Sequence, residues 1–269
     1  MVNYQKKAMS ELVWLSITKQ RYKIRLFPLD YSIHSIKQHY FIIIFAVFIS
    51  YNFLSATNYR IYLLGLPIIE VNMESSTKLL DFSTKTVGLI HSIWPVDNYY
   101  QIEYDSISFG IRQYTKSIHQ GNYVGELNCI FESDGSKLNY NGQLVAVVDS
   151  IQNIFTLLAR VSYQSAEYLD TKWYPMDHEG TPHRARFLLA GTEKLKIGDE
   201  DILCDHYRLD IEKTDGVSVH VSPYDYFTDH VASNDALRQL WVEQTGKRRI
   251  IKASVSIYGL TVTAKIQDN

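Results

Sequence analysis

The side chains able to do chemistry fall in three places. His178 and His183 flank Glu179 in a Gly/Pro turn, Asp205-His206 follows Cys204, and Asp225, Asp229 and His230 occupy a stretch without periodicity. A metal site needs His, Cys and carboxylates converging at ligand distance. None of these spacings has that signature, and adjacent residues on a strand point to opposite faces. Asp225, Asp229 and His230 are of the types used in acid–base catalysis; a solvated polar loop is the competing account. No Gly-x-Ser-x-Gly elbow, phosphate-cradling glycine loop or His-Glu-x-x-His run occurs. The sequence therefore assigns no catalytic, cofactor-binding or metal-binding residue. Lys247-Arg248-Arg249 is the only dense basic cluster beyond Arg60. It either covers a hairpin tip or meets an anionic lipid headgroup.

The elements that must position these residues are mostly strands. Tyr59–Asn72 reads as a strand interrupted at Leu64-Gly65-Leu66-Pro67 by a bulge or tight turn. Val87–Ile93, Tyr99–Tyr104, Ser106–Gln113, Tyr123–Phe131 and Lys137–Asn141 follow as short β-type runs between turn residues. The period then changes. In Asp149–Val161, Ile151, Ile154, Phe155, Leu158 and Val161 recur at helical spacing, with Asp149 as N-cap and Gln152 completing a capping box. The stripe Ile151, Ile154, Phe155 and Leu158 either plugs the open side of a curled sheet or forms a lid over an apolar-ligand cavity. Strands resume at Lys172–Tyr174, Arg184–Leu189, Thr192–Ile197, Ile202–Glu212 and Val217–Val221. An irregular loop at Tyr224–Asn234 precedes Leu237–Gln244, Arg249–Ile257 and Leu260–Ile266. Many short strands with one amphipathic helix predict an all-β, mainly antiparallel fold, either a curled sheet (half-barrel) or a sandwich.

Ahead of this lies Gln38–Tyr59, which contains no Lys, Arg, Asp or Glu. The run predicts an N-terminal hydrophobic helix, acting either as a signal peptide with its exit at Leu54-Ser55-Ala56 or as an uncleaved membrane anchor. Residues 1–56 hold seven Lys/Arg against two acidic side chains, whereas the remainder holds 20 Lys/Arg against 27 Asp/Glu. Positive charge retained on the cytoplasmic side places residues 57–269, a single β-rich domain, outside it. Its acidic balance argues against a nucleic-acid partner. Cys129 and Cys204 are the only cysteines. In an oxidising compartment they either pair as a disulfide or remain two buried thiols.

The exported part resembles a bacterial envelope family known as domain of unknown function three-one-zero-eight. The resemblance rests on the opening strand Tyr59–Pro67 and on the helix from Asp149 through Ile154–Arg160. It extends to Gly191-Thr192-Glu193-Lys194-Leu195 with Cys204-Asp205-His206-Tyr207, and to Leu240-Trp241 with Arg248-Arg249. Where the family's helix carries a small Ser-type pair, this chain has Gln152-Asn153. The resemblance implies an exported all-β protein and supplies no activity. The expectation is a non-catalytic periplasmic envelope protein without a cofactor, binding a lipid-like or other apolar ligand or an envelope partner. An integral outer-membrane β-barrel, or a hydrolase whose site is assembled by folding, are the alternatives.

Overall fold

The computed structural model describes residues 55–267 apart from 135 and 222–224. The basic leader and Gln38–Leu54 lie outside the described residues, and with them the expected hydrophobic helix. The first strands are β1 (Ser55–Leu63), β2 (Leu66–Ser75), β3 (Leu79–Thr86), β4 (Asp97–Tyr104) and β5 (Ile111–Gln120). Next come β6 (Tyr123–Glu132), β7 (Lys137–Tyr140), β8 (Gln143–Ala146) and β9 (Trp173–His178). The last are β10 (Thr181–Ile197), β11 (Glu200–Lys213), β12 (Leu237–Glu243), β13 (Ile250–Ile257) and β14 (Leu260–Ile266). Side-chain alternation explains them: in β4, Asn98, Tyr100, Ile102 and Tyr104 point inward while Asp97, Tyr99 and Glu103 point out.

All 14 strands form one antiparallel sheet in the order β8 to β1, then β14 back to β9. Successive strands pair with one another except β8 and β9, which are the two edges, and β1 joins β14 through Tyr59 opposite Ile266. The sheet is curled and unclosed, and the sandwich option falls away. Between the edges β8 and β9 runs the segment that carries helix α2 (Ile154–Tyr163). Before the helix, Gln152 pairs in parallel with Met176 of β9, and the Ile151 carbonyl accepts from Ile111 N–H of β5 at 2.8 Å. Gly110 allows this approach, because a Cβ there would lie 2.7 Å from the Asp149 carbonyl oxygen.

Helix α2 fills the concave side. Phe155 packs against Phe82, Tyr100 and Tyr114 with ring centroids 5.1, 5.0 and 5.9 Å away. Ile151, Ile154 and Phe155 are buried, Leu158 is half-buried, and Leu157 and Val161 are the most deeply covered apolar positions of the helix. Arg160 is buried between the rings of Phe109 and Tyr174, 4.6 and 4.2 Å away. It donates to Gln152 Oε1 at 2.9 Å. At the C-terminal end Arg248 donates to the carbonyls of Val161 and Gln164.

Several expectations are corrected. The helix begins at Ile154, with Asn153 as N-cap in a reciprocal box with Thr156, so Asp149 and Gln152 do not cap it; Gln152 is held in extended pairing with β9 instead. Val87–Ile93 is not a strand. It contains the short helix α1 (Gly88–Ile93), whose first residue, Gly88, has a positive φ of 62°, and which buries no residue. Ser106–Phe109 forms a turn around Asp105, which accepts from the backbone of Ile107 and Ser108. The runs at Arg184–Leu189 and Thr192–Ile197 are one strand with a bulge between Leu189 and Gly191. A short helix α3 (Ala166–Leu169) precedes β9, Val217–Val221 is irregular, and the Tyr224–Asn234 loop contains helix α4 (Tyr226–Ala232). Cys129 and Cys204 are free buried thiols. They belong to separate apolar clusters on β6 and β11, so the disulfide option is not realised.

Candidate functional site

The β9–β10 turn and α4 meet at one end of the curled sheet. Glu179 and Gly180 form the turn with φ of 48° and 87°. Only glycine serves at 180, because a Cβ there would lie 2.7 Å from the Val219 carbonyl oxygen. The turn directs Glu179 inward onto Lys116, whose side chain is fully buried, with Nζ 2.5 and 2.6 Å from the two carboxylate oxygens. Tyr114 donates to Glu179 at 3.2 Å. Burial pushes the Glu179 carboxyl up against the opposing pull of Lys116. Asp177 accepts from the Tyr140 hydroxyl and from Gly180 N–H, yet burial still drives its pKa up to about 6. Asp225 caps α4 by accepting from Phe227 N–H, and also accepts from Tyr100 and Gln120 at 3.0 and 3.1 Å.

This network closes the end of the sheet and fastens the turn and α4 to it. Among the residues singled out from sequence, it brings together Glu179 and Asp225, and on its outer side His178 and Asp229, 2.6 Å apart. His178, His183, Lys213 and Asp229 line a shallow surface pocket of about 260 Å³. His183 donates from Nδ1 to the Thr181 carbonyl, and burial lowers its pKa. His230 faces Tyr226 within α4. Cys204, Asp205 and His206 do not converge: His206 stacks on Trp241 at 4.3 Å, whereas Asp205 accepts from Gln244 and Tyr207. Arg249 pairs with Glu243, and Arg248 serves the α2 carbonyls. Among the described residues no group of three or more His, Cys, Asp or Glu is placed to hold a metal ion.

Above the network the same end carries an apolar rim. The β1–β2 and β13–β14 turns lie side by side, because Leu63 of β1 pairs with Val262 of β14. Helix α1 adjoins them where Val87 N–H donates to the Ile68 carbonyl. Leu64, Leu66, Leu89, Ile93, Tyr258 and Leu260 are 80, 68, 84, 80, 87 and 57 % exposed. Trp94 follows, against Tyr226 and Phe227 of α4 at 5.6 and 6.0 Å. Leu63–Ile68, Gly88–Ile93 and Ile257–Val262 hold no Lys, Arg, Asp or Glu. Sequence reasoning missed both the rim and Lys116. The signals were apolar residues beside Gly in two turns, and a Lys in an inward slot between Tyr114 and Ile118.

No family model matches this sequence. No curated protein matches it either. Solved structures do. A β-barrel-like protein of domain of unknown function DUF1849 from Brucella abortus has a TM-score of 0.48 and 6% identity, over 78% of this chain and 95% of that one. The hypothetical lipoprotein YmcC from Escherichia coli has a TM-score of 0.29 and 11% identity, over 91% and 98%. A DUF1089 family protein from Pseudomonas aeruginosa has a TM-score of 0.27 and 11% identity, over 78% and 90%.

Proposed function

We propose that this chain is an exported, non-catalytic protein of the periplasm that works by docking its apolar rim onto an apolar partner. The pair of hairpin tips carries the reading. Leu64 and Tyr258 have φ of 51° and 50°, followed by glycines at 81° and 83°. Such two-residue turns favour Asn or Asp at the first position, since an apolar side chain gains nothing from left-handed backbone. Leu64 is nevertheless exposed, so burial inside the fold does not account for it; Tyr258 is exposed too, with its hydroxyl donating to Asp235 at 3.2 Å. The export address rests on Gln38–Tyr59 and the basic residues before it.

The alternatives fare less well. An interior lipid site is opposed by Phe155, Leu157 and Val161, which occupy the space such a ligand would need. An integral outer-membrane barrel is opposed by the outward row Lys252, Lys265, Arg60, Glu70, Lys85 and Asp97, direct partners across six neighbouring strands. Charge there would face lipid. A hydrolase would draw on His178 and Asp229, but among the described residues no hydroxyl is hydrogen-bonded to either pocket imidazole.

The test is a photo-crosslinking residue placed at Leu64, Tyr258 or Asp199 in cells producing the protein. Adducts at 64 and 258 and none at 199 are expected, since Asp199 lies in the β10–β11 turn at the other end of the sheet. Adducts at 199 alone would contradict the reading.

A further inference from the structure

We infer that the partner of the apolar rim is a lipid surface, into which the two hairpin tips and α1 insert. This rests on the docking reading above and names the class of partner. The first ground is charge. The three segments forming the rim carry no formal charge, although residues 57–269 are rich in both signs. A neutral, low-dielectric partner matches such a surface, whereas an anionic polymer or a charged protein face does not. The second ground is composition. Leu64, Leu66, Leu89, Ile93 and Leu260 are aliphatic and among the most exposed apolar side chains of the domain. Trp94 and Tyr226 are 36 and 44 % exposed and in edge contact. Aliphatic side chains on the turns and α1, with Tyr258 at one tip and Trp94 and Tyr226 beside them, make the mixture of aliphatic and amphipathic aromatic groups that suits a membrane interface.

The shape of the rim separates lipid from protein partners. Its apolar side chains stand on two tight turns and one short helix, not on a flat face. Turn peptides keep N–H and C=O groups that headgroups and interfacial water can satisfy, whereas a dry protein interface would need a fixed partner for each.

The test uses the full chain and phosphatidylcholine vesicles, with an environment-sensitive fluorophore on Leu89→Cys or, as control, on Asp199→Cys. Cys129 and Cys204 are buried and leave labelling to the introduced thiol. A blue-shifted, brighter signal at position 89 and none at 199 is expected, persisting in high salt and without anionic lipid. Leu64→Asn with Tyr258→Asn suits the turn backbone, so the variant should melt no lower than the parent. It should still weaken vesicle binding roughly tenfold or more, as expected for losing the transfer of large apolar side chains. A silent label at 89 overturns the inference. So does a response that requires phosphatidylglycerol, or one that grows with protein concentration in the absence of vesicles, which would mark a second copy as the occupant. A silent label together with protein adducts at Leu64 in cells would overturn the lipid partner alone and leave the docking reading standing. Silence in both experiments would remove both.

Discussion

At Asp177 burial outweighs hydrogen bonding. Two donors reach Oδ1, Oδ2 has no partner among the described residues, and the carboxyl titrates near 6 instead of 3.8. Between those values the folded chain holds a proton that the unfolded chain has released. The stabilisation is therefore complete below the ordinary carboxylate range and is lost as pH rises through about 6. Asp177→Asn should flatten that part of the curve of unfolding free energy against pH, and an unchanged slope would contradict the assignment. Lys116 and Glu179 give a second prediction. Lys116→Met leaves a buried carboxylate without its cation and should cost about 3–5 kcal/mol in denaturant unfolding. Lys116→Met with Glu179→Gln should cost less than the single change; an equal or larger loss would mean that the pair is not the source. Lys116 went unread because the expected run ended at Gln113, whereas β5 continues to Gln120. Its partner was hidden too, because Glu179 reaches it from 63 residues away across a turn.

Helix α2 is the element on which the interior depends. Phe155→Ala should cost about 3–5 kcal/mol, and the half-buried Leu158→Ala distinctly less. Asn153→Ala should cost about 1 kcal/mol as the true N-cap, with Asp149→Ala near neutral; the reverse order would restore the earlier start. Thermal or denaturant unfolding of the four variants decides this. The helical period was readable because Ile154, Phe155 and Val161 repeat over about two turns. Its start was not, since Asp149 and Gln152 imitate a capping box while Gln152 is taken by β9. Helices α1 and α4 escaped notice for a different reason. They have six and seven residues, too short to establish a period, and α4 owes its position to Asp225 bonding Tyr100 and Gln120.

For the whole domain, the meander was readable because consecutive runs joined by short turns pair with one another. The meeting of β1 with β14 was not, since it joins residues more than 190 positions apart. That pairing turns two separate hairpins into one rim, and so the proposed working surface belongs to the fold and to no local motif. Residues 57–269, freed of the leader, should be soluble without detergent, given their acidic balance and filled interior; recovery only in detergent would favour an integral barrel. The central claim is that this interior is solid and that the domain works through its rim. It is tested most directly by titrating residues 57–269 with a fluorescent fatty acid, with the Leu64→Asn/Tyr258→Asn variant alongside. Weak, non-stoichiometric binding that disappears in the variant is predicted. Saturable binding of one fatty acid per chain, unchanged by the rim substitutions, would contradict the claim.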